Sequence, residues 1–160
     1  MLPTVLENDH IFVNKAAYGL RLPFSQVRIA EFSGPDRGDV VVLESPESGI
    51  VLLKRVVAVP GDVVEVKNGR LLLNGKPVPI ASRDGGLVEE LGDGHGLQLD
   101  NGGGPDFGPV KVPMNSYLVL GDNRGNSRDG RFFGFVKGEA LLGRAISILA
   151  RAGNPTWIKL

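Results

Sequence analysis

The stretch VVEVKNGRLLLNGKPVPI, Val63 to Ile80, contains two Asn-Gly pairs, each flanked by short apolar runs. Asn and Gly tolerate the positive φ angles that tight hairpin turns require, so Asn68-Gly69 and Asn74-Gly75 are strong turn signals. Apolar and β-branched runs bounded by such turns are typical of strands. The stretch therefore predicts a three-stranded meander from about Val63 to Pro79.

Similar short runs recur on both sides of this meander, separated by turn residues. They are HIFVNK, GDVVVLES, GIVLLKRVVAV, SYLVLGD, FFGFV and LLGRAISIL. The chain holds 23 Gly and 11 Pro in 160 residues, which is more than a helical bundle tolerates. We therefore predict an all-β fold in which antiparallel strands form a sandwich or a barrel-like sheet.

The length of the chain fits one domain with a substantial core, so residues 1–160 are predicted to form a single domain. From Ala81 to Pro113 the sequence becomes rich in Gly, with DGG, GDGHG and NGGGPDFG, which predicts a loop-rich excursion. We accordingly predict a core of residues 1–65 and 114–160, interrupted by a β-rich cap, an inserted β-hairpin and loop, at 66–113.

Composition excludes several function classes. Eighteen basic and eighteen acidic residues balance, so no charge excess indicates a nucleic-acid partner. The absence of Cys excludes disulfides, a Cys nucleophile and thiolate zinc sites, while two His residues are too few for a multi-His metal site. No metal or cofactor is predicted. No apolar run approaches the about 20 residues needed to span a bilayer, so this fragment is expected to be soluble.

The segment VLLKRVVAVPGD, Val51 to Asp62, places Lys54 among strand-forming apolar residues. If both faces of the strand are buried, desolvation lowers the pKa of Lys54 and makes it a candidate general base. The alternative, which the residues alone favour, is a lysine that reaches solvent from an edge strand. The neighbouring Arg55 points to the opposite face and needs a carboxylate if it is covered.

The segment GDNRGNSRDGRFFGFV, Gly121 to Val136, joins a charged half to an aromatic half. A calcium loop of the EF-hand type is excluded because Arg124 occupies the third ligand position. A solvated turn is one alternative, but RFFGFV is expected to be substantially buried and to draw the charges towards the core. We expect local ion pairs around Ser127 among five residues: Asp122, Arg124, Arg128, Asp129 and Arg131.

Four stretches in order carry a resemblance to a known family. They are MLPTV with DHIFVNKAAYG, then RGDVVVLESP, then LLKRVVAVPGD, and finally GDNRGNSRDGRFFGFV followed by LLGRA. The chain resembles the catalytic domain of type I bacterial signal peptidases, the membrane-anchored serine proteases that remove signal peptides from exported proteins. The resemblance covers nearly the whole chain, including the NGRLLLNGKPVP meander.

The resemblance implies a Ser-Lys dyad, a variant of the serine-protease constellation. Lys54 matches the general base, and Ser127 matches the hydroxyl that orients the lysine nitrogen. Gly125 and Gly130 replace the family's usual Asp and Ser, which predicts a more flexible loop. Four charged residues are implied to support the dyad without transferring protons: Arg55, Asp122, Asp129 and Arg131.

The family's nucleophile lies in a Ser-Met-x-Pro-Thr motif, whereas this chain begins Met1-Leu2-Pro3-Thr4. The nucleophilic serine is expected immediately before Met1 and is absent from the chain, which is therefore predicted to be inactive. Either the sequence starts at an internal Met, without the serine and the membrane anchor, or the protein is a natural relic. Retention of Lys54 and Ser127 favours the first explanation.

Signal peptides are cut after small residues, commonly Ala at the first and third positions before the bond. The resemblance implies a peptide that adds as a strand beside the segment preceding Lys54. Ordinary core packing is the alternative role for each matching apolar position. Those positions are Met1, Val5, Leu52 and Leu53 for the first pocket, and Ile11, Val42 and Leu53 for the third.

The partners implied by the resemblance are signal peptides of exported preproteins, an upstream membrane anchor and the membrane surface, which Ala16 to Phe24 is expected to approach. The implied location is the extracytoplasmic side of the bacterial cytoplasmic membrane. Two alternatives stay open. One is another Ser-Lys peptidase, such as a conjugation maturation peptidase or a self-cleaving repressor, and the other is a non-catalytic peptide-binding β-module.

Overall fold

A computed structural model describes residues 1–21, 28–31 and 33–160, and strands dominate these residues, which confirms the all-β prediction. The strands are β1 (His10–Asn14), β2 (Gly19–Arg21), β3 (Arg28–Glu31), β4 (Val40–Glu44), β5 (Val51–Ala58), β6 (Val63–Lys67), β7 (Arg70–Leu73), β8 (Lys76–Pro77), β9 (Ile80–Arg83), β10 (Gly86–Glu89), β11 (His95–Leu97), β12 (Phe107–Lys111), β13 (Ser116–Leu120), β14 (Val136–Lys137), β15 (Leu141–Arg151) and β16 (Asn154–Lys159). The helical segments are α1 (Gly130–Phe133) and the 3-10 turns Asp100–Gly103, Arg124–Asn126 and Gly138–Ala140.

The largest sheet among the described residues has the order β1-β15-β4-β5-β13-β14, and neighbouring strands are antiparallel. Strand β15 pairs with different strands along its length. Residues 141–145 pair with β4, and residues 147–151 pair with β16. Strands β5 and β13 lie in its interior. A two-stranded sheet of β2 and β3 is separate.

The predicted meander is confirmed as β6, β7 and β8, and β12 extends its sheet beside β6. Asn68 and Asn74 have φ angles of 49° and 53°, and the glycines that follow them also have positive φ, as hairpin turns require. Strand β6 crosses the predicted boundary at residue 65, and the division into core and cap stays a prediction.

The prediction of a loop-rich excursion from Ala81 to Pro113 is wrong for much of that segment. It holds β10, β11, β12 and most of β9, and β9 to β11 form a three-stranded sheet of their own. The glycines occupy the connections between short strands, as at Asp84-Gly85, where both residues have positive φ. These strands are only three to five residues long and contain few apolar residues, so they are too short to show the alternation that marks a strand.

Two apolar clusters cover opposite faces of β5 and β13. One contains Val57, Ala58, Val64, Val66, Leu71, Leu91, Val112, Leu118 and Leu120. The other contains Tyr18, Val41, Leu43, Val56, Tyr117, Val119, Val136 and Leu141. Because successive strand residues face opposite ways, the inner half of β5 is buried on both sides, and each such Val or Leu contributes about 1.5–3 kcal/mol.

Within the described residues, no helix has the length and apolar character that crossing a bilayer demands. Residues 22–24 of the stretch that we expected to approach the membrane lie outside the described residues.

Candidate active site

Lys54 lies on β5, opposite Val41 of β4 and one residue before β13 begins to pair on the other side. Its Nζ donates a hydrogen bond to Ser127 Oγ at 3.1 Å, so the structure brings the two predicted residues together. Burial lowers the pKa of Lys54, although the negative charges of Asp129 and Asp122 act in the opposite direction and raise it. A lysine with a lowered pKa gives up its proton more readily, as a general base requires.

Ser127 follows the 3-10 turn Arg124–Asn126, whose start is capped by Asn123 Oδ1, 3.1 Å from the Asn126 amide. Gly121 lets this loop fold onto Lys54. A Cβ at Gly121 would overlap the Ser127 side chain and lie 3.7 Å from Lys54 Nζ. Sequence reasoning gave Gly121 no role, because a close approach between segments leaves no local signal.

Asp129 and Arg131 form a buried ion pair within the loop. Asp129 caps α1, and its carboxylate accepts from the Gly121 amide at 3.0 Å and from Arg131 Nε at 2.8 Å. Arg131 also donates to the carbonyls of Gly103 and Arg124 at 2.5 and 2.6 Å. Both side chains are buried, and their bonds to backbone tie Gly121, Gly103 and Arg124 to the segment that follows Ser127.

Arg55 and Asp122 form a buried bidentate pair with two contacts of 2.9 Å. Arg55 also donates to the Gly38 carbonyl at 2.7 Å. Thr4 Oγ1 donates to Asp122 Oδ2, a contact that sequence reasoning missed although Thr4 stands in the MLPTV stretch. The Thr4 carbonyl in turn accepts from Arg151 Nη2 at 3.0 Å. These bonds tie the first residues of the chain to the site.

Met1 lies beside Lys54 and Ser127. It lines a cavity of about 80 Å³ together with Lys54 and Ser127. The pKa of its α-amino group is lowered by burial and by the charge of Lys54. Pro3 packs on β11, where a Cβ at Gly96 would stand 2.8 Å from Pro3 Cγ. The backbone nitrogen of Met1 is therefore held next to the lysine that carries the candidate base.

The expectation that all the charges of the loop pair locally is wrong for Arg124 and Arg128. Arg124 is buried and reaches Glu89 of β10, with Nη1 to Oε1 at 3.1 Å, and donates to the Gly69 carbonyl at 2.8 Å. Arg128 pairs with Glu47 through contacts of 2.8 and 2.9 Å. Only the folded chain brings these partners together, since they are 35 and 81 residues apart.

Glu89 belongs to a wider buried polar group. Burial raises its pKa, but His95 and Arg124 outweigh this effect and leave the pKa below the usual range. His95 Nε2 lies 3.3 Å from Glu89 Oε2 and 3.7 Å from Asp122 Oδ1. Strands β10 and β11 are thereby connected to the segment that carries Asp122 and Arg124. Among the described residues, no cluster of three or more His, Asp or Glu side chains is arranged to hold a metal ion.

The expected burial of RFFGFV is wrong for Phe132, which is 50% exposed. Phe133 and Phe135 are partly buried, each against a different apolar cluster. The four residues of α1 make about one turn, so consecutive aromatic side chains point in different directions. Phe132 instead lies under the Arg128 guanidinium, 5.2 Å from the ring centroid.

The two unusual glycines of this loop are sites of close packing, contrary to the flexibility that we expected. A Cβ at Gly125 would overlap the carbonyl of Asp100, and one at Gly130 would lie 2.7 Å from Leu118 Cδ1. Neighbouring segments occupy the space that a side chain at either position would fill.

Comparisons with known proteins identify the family to which the chain belongs. The family model described as signal peptidase, peptidase S26, matches residues 1–150. The chain belongs to the signal peptidase family. The structure is also similar to a crystal structure of a signal peptidase I from Enterococcus faecalis, with a TM-score of 0.51 and 28% identity, covering 71% of this chain and 98% of that one.

The chain is also similar to curated members of the family. A signal peptidase I from Leptolyngbya laminosa is 36% identical over 156 residues, and signal peptidase I S from Bacillus subtilis is 40% identical over 131 residues. The alignments cover 91% and 82% of this chain and 62% and 61% of the relatives. The chain thus spans about three fifths of the length of the curated relatives that it matches.

The apolar residues predicted for peptide binding fall into several places in this signal peptidase domain. Val42 and Leu53 are directly opposite each other on β4 and β5. Val42 lines a cavity of about 570 Å³ with Val13, Val51 and Leu142 among others. Leu52 is partly buried against the cluster that contains Val41, Leu43 and Val56. The cavity therefore adjoins the Leu53 face of β5.

The remaining two positions lie elsewhere. Ile11 is opposite Ile148 of β15, and Val5 lies in a turn in which its amide donates to the Met1 carbonyl at 3.0 Å. Neither lines the cavity at Val42 or the one at Lys54. The roles of all these residues in peptide binding stay predictions.

The first half of β5 has an open edge. Strand β4 pairs with β5 from Val51 to Arg55, but β13 pairs with it only from Arg55 onward. Among the described residues, therefore, no strand lies beside Val51 to Lys54 on the β13 side. Such an edge presents unpaired backbone groups to an added strand.

Proposed function

We propose that this domain is the peptidase domain of a signal peptidase I, a serine endopeptidase that uses a Ser-Lys dyad to remove signal peptides after small residues. The contact between Lys54 Nζ and Ser127 Oγ, at a lysine whose pKa is lowered by burial, carries the proposal. Membership of a family of serine peptidases supports the reaction class.

The proposed nucleophile is a serine joined to the Met1 nitrogen on its N-terminal side. Neutral Lys54 accepts the serine proton while the serine oxygen attacks the peptide carbonyl, and Lys54 then returns the proton to the leaving amine. Water, deprotonated by the same lysine, hydrolyses the acyl-enzyme ester. The position of Met1 beside Lys54 supports this placement, since one further residue there lies within the reach of the lysine.

Ser127 and the surrounding charges are proposed to position the base. Ser127 accepts from Lys54 and fixes the direction of its nitrogen. Arg55 neutralises Asp122, and Arg131 neutralises Asp129. Because both carboxylates favour the charged form of Lys54, pairing them with arginines leaves burial as the dominant effect on its pKa.

The substrate is proposed to be an extended signal peptide that adds to the open edge of β5. Its main chain would bond to the strand, and its first and third residues before the cleaved bond would face Leu53 and Val42. We place the domain on the extracytoplasmic side of the bacterial cytoplasmic membrane, attached to an anchor upstream. The partners are then exported preproteins and the membrane surface.

A version extended upstream, so that a serine precedes Met1, tests the proposal on a peptide with Ala at the first and third positions. We expect cleavage after the first-position Ala, located by mass spectrometry, and no cleavage by the chain that begins at Met1. Lys54→Ala in the extended protein should lower kcat by about a thousandfold or more. Lys67→Ala, at an exposed lysine, is the matched control.

Two results would count against the proposal. Failure of the folded, extended protein to cleave, together with measurable peptide binding, would favour a non-catalytic peptide-binding module. Cleavage that survives Lys54→Ala would remove the dyad from the reaction.

A further inference from the structure

An exposed ion pair lies next to Ser127, the residue that bonds to Lys54. Arg128 directly follows Ser127, and its guanidinium meets Glu47 through Nε to Oε2 at 2.8 Å and Nη2 to Oε1 at 2.9 Å. The side chains are 67% and 36% exposed. Every other arginine of the loop is buried, so Arg128 alone among them faces solvent.

The position of Glu47 shows which segments the ion pair connects. Glu47 belongs to the turn between β4 and β5, which is closed by the Ser45 amide donating to the Ile50 carbonyl at 2.8 Å. Strand β5 leaves this turn at Val51 and reaches Lys54 three residues later. The pair therefore joins the two ends of the open edge of β5, one near Lys54 and the other at the turn.

The pair lies on the Lys54 side of β5. Lys54 and Leu52 point to one face of the strand and Leu53 to the other. Ser127 bonds to Lys54, and Phe133 of α1 packs on the same apolar cluster as Leu52. The loop and helix that carry Arg128 thus cover the face opposite to Leu53.

We propose that Arg128, together with Glu47, is a specificity-determining site that selects for an acidic side chain at the second residue before the cleaved bond. The inference rests on the proposed function. If the first and third residues of an added strand face Leu53 and Val42, the second residue faces the Lys54 side, where this pair lies.

The charge and the solvent exposure of Arg128 explain why an acidic side chain is preferred to a basic one at this position. Two of the five N–H groups of Arg128 bond to Glu47, which leaves three for a substrate carboxylate. The ring of Phe132 supports the guanidinium from one side and keeps it in place. An exposed pair gains little from its own attraction, so Arg128 can share its donors with a substrate at low cost.

The test uses the serine-extended protein and three soluble peptides with Ala at the first and third positions and Glu, Ala or Lys at the second. We expect kcat/KM to be higher for Glu than for Lys by about twofold to fivefold at low salt, the range of an exposed charge pair. The ratio should fall towards one in about 1 M NaCl.

Substitutions test whether Arg128 and Glu47 cause the preference for Glu over Lys. Arg128→Ala should remove the preference, Arg128→Lys should retain part of it, and Glu47→Ala should increase it by freeing the guanidinium. Arg83→Ala, which breaks a comparable exposed pair with Glu90, is the control and should leave the ratio unchanged.

The outcomes separate the two proposals. If the peptide with Ala at the second position is not cleaved, the proposed function fails and this inference fails with it. If that peptide is cleaved but the Glu to Lys ratio is the same with and without Arg128, the inference alone is wrong.

Discussion

Two ion pairs begin in the same loop, four residues apart, and lie in opposite surroundings. The pair of Arg124 with Glu89 is fully buried, whereas the pair of Arg128 with Glu47 is largely exposed. A buried charge cannot replace its partner with water, so the first pair fixes the position of the loop. Solvent competes with the second pair, which therefore adds little rigidity and remains available to a substrate.

The largest effect should come from breaking the buried pair. Glu89→Ala leaves the Arg124 guanidinium buried without its carboxylate, and we expect the free energy of unfolding to fall by about 3–5 kcal/mol. Urea denaturation measures it. Glu90→Ala, at the exposed neighbour of Glu89, is the matched control and should leave the midpoint nearly unchanged. Equal effects of the two substitutions would contradict the comparison.

The next effect concerns the packing that brings Ser127 to Lys54. Gly121→Ala places a methyl group where the Ser127 side chain lies, so the loop must shift away from the lysine. We expect kcat of the serine-extended protein to fall by about a hundredfold, the cost of a displacement of about 1 Å. Gly86→Ala is the control, since the nearest atom to its Cβ would be a carbonyl oxygen at 3.7 Å. Undiminished cleavage by Gly121→Ala would show that the contact is dispensable.

A smaller effect depends on pH. Because the folded-state pKa of Lys54 is lowered, the unfolded chain holds this proton more tightly. The folded state is penalised in full below the folded pKa, and the penalty shrinks to zero as the pH rises from there to the unfolded pKa. Lys54→Met should therefore stabilise the protein at neutral pH. The gain should disappear as the pH rises through about 10.5, where the unfolded lysine also loses its proton. Urea titrations at neutral and alkaline pH test this, and a gain independent of pH would contradict it.

The smallest effect on stability should come from the exposed pair. We expect Arg128→Ala to leave the urea midpoint within experimental error, and the same should hold at low and high salt. A loss comparable to that of Glu89→Ala would show that the two pairs are equivalent and would end the distinction drawn between them.

Much of the fold was predictable because its signals are local. The turns at Asn68-Gly69 and Asn74-Gly75 need positive φ, and the residues that adopt it stand at those positions. The strands of the 81–113 segment were missed because they are short and contain few apolar residues. The candidate site also contains residues that the sequence indicates and residues that only the structure reveals. Lys54 and Ser127 could be named from a family resemblance, whereas Gly121 and Glu89 could not, since their importance comes from contacts with distant segments.

Lys54 and Ser127 became candidates through the resemblance to a known family, whereas the sequence by itself determined the all-β class and the hairpin turns. These depend on backbone preferences, apolar alternation and residue order, which are properties of neighbouring residues. Only the tertiary structure decided which charges are buried and which are exposed. Arg124 and Arg128 are alike in sequence, but burial and the partners provided by β10 and by the turn before β5 give the first a fixed position and leave the second accessible to solvent.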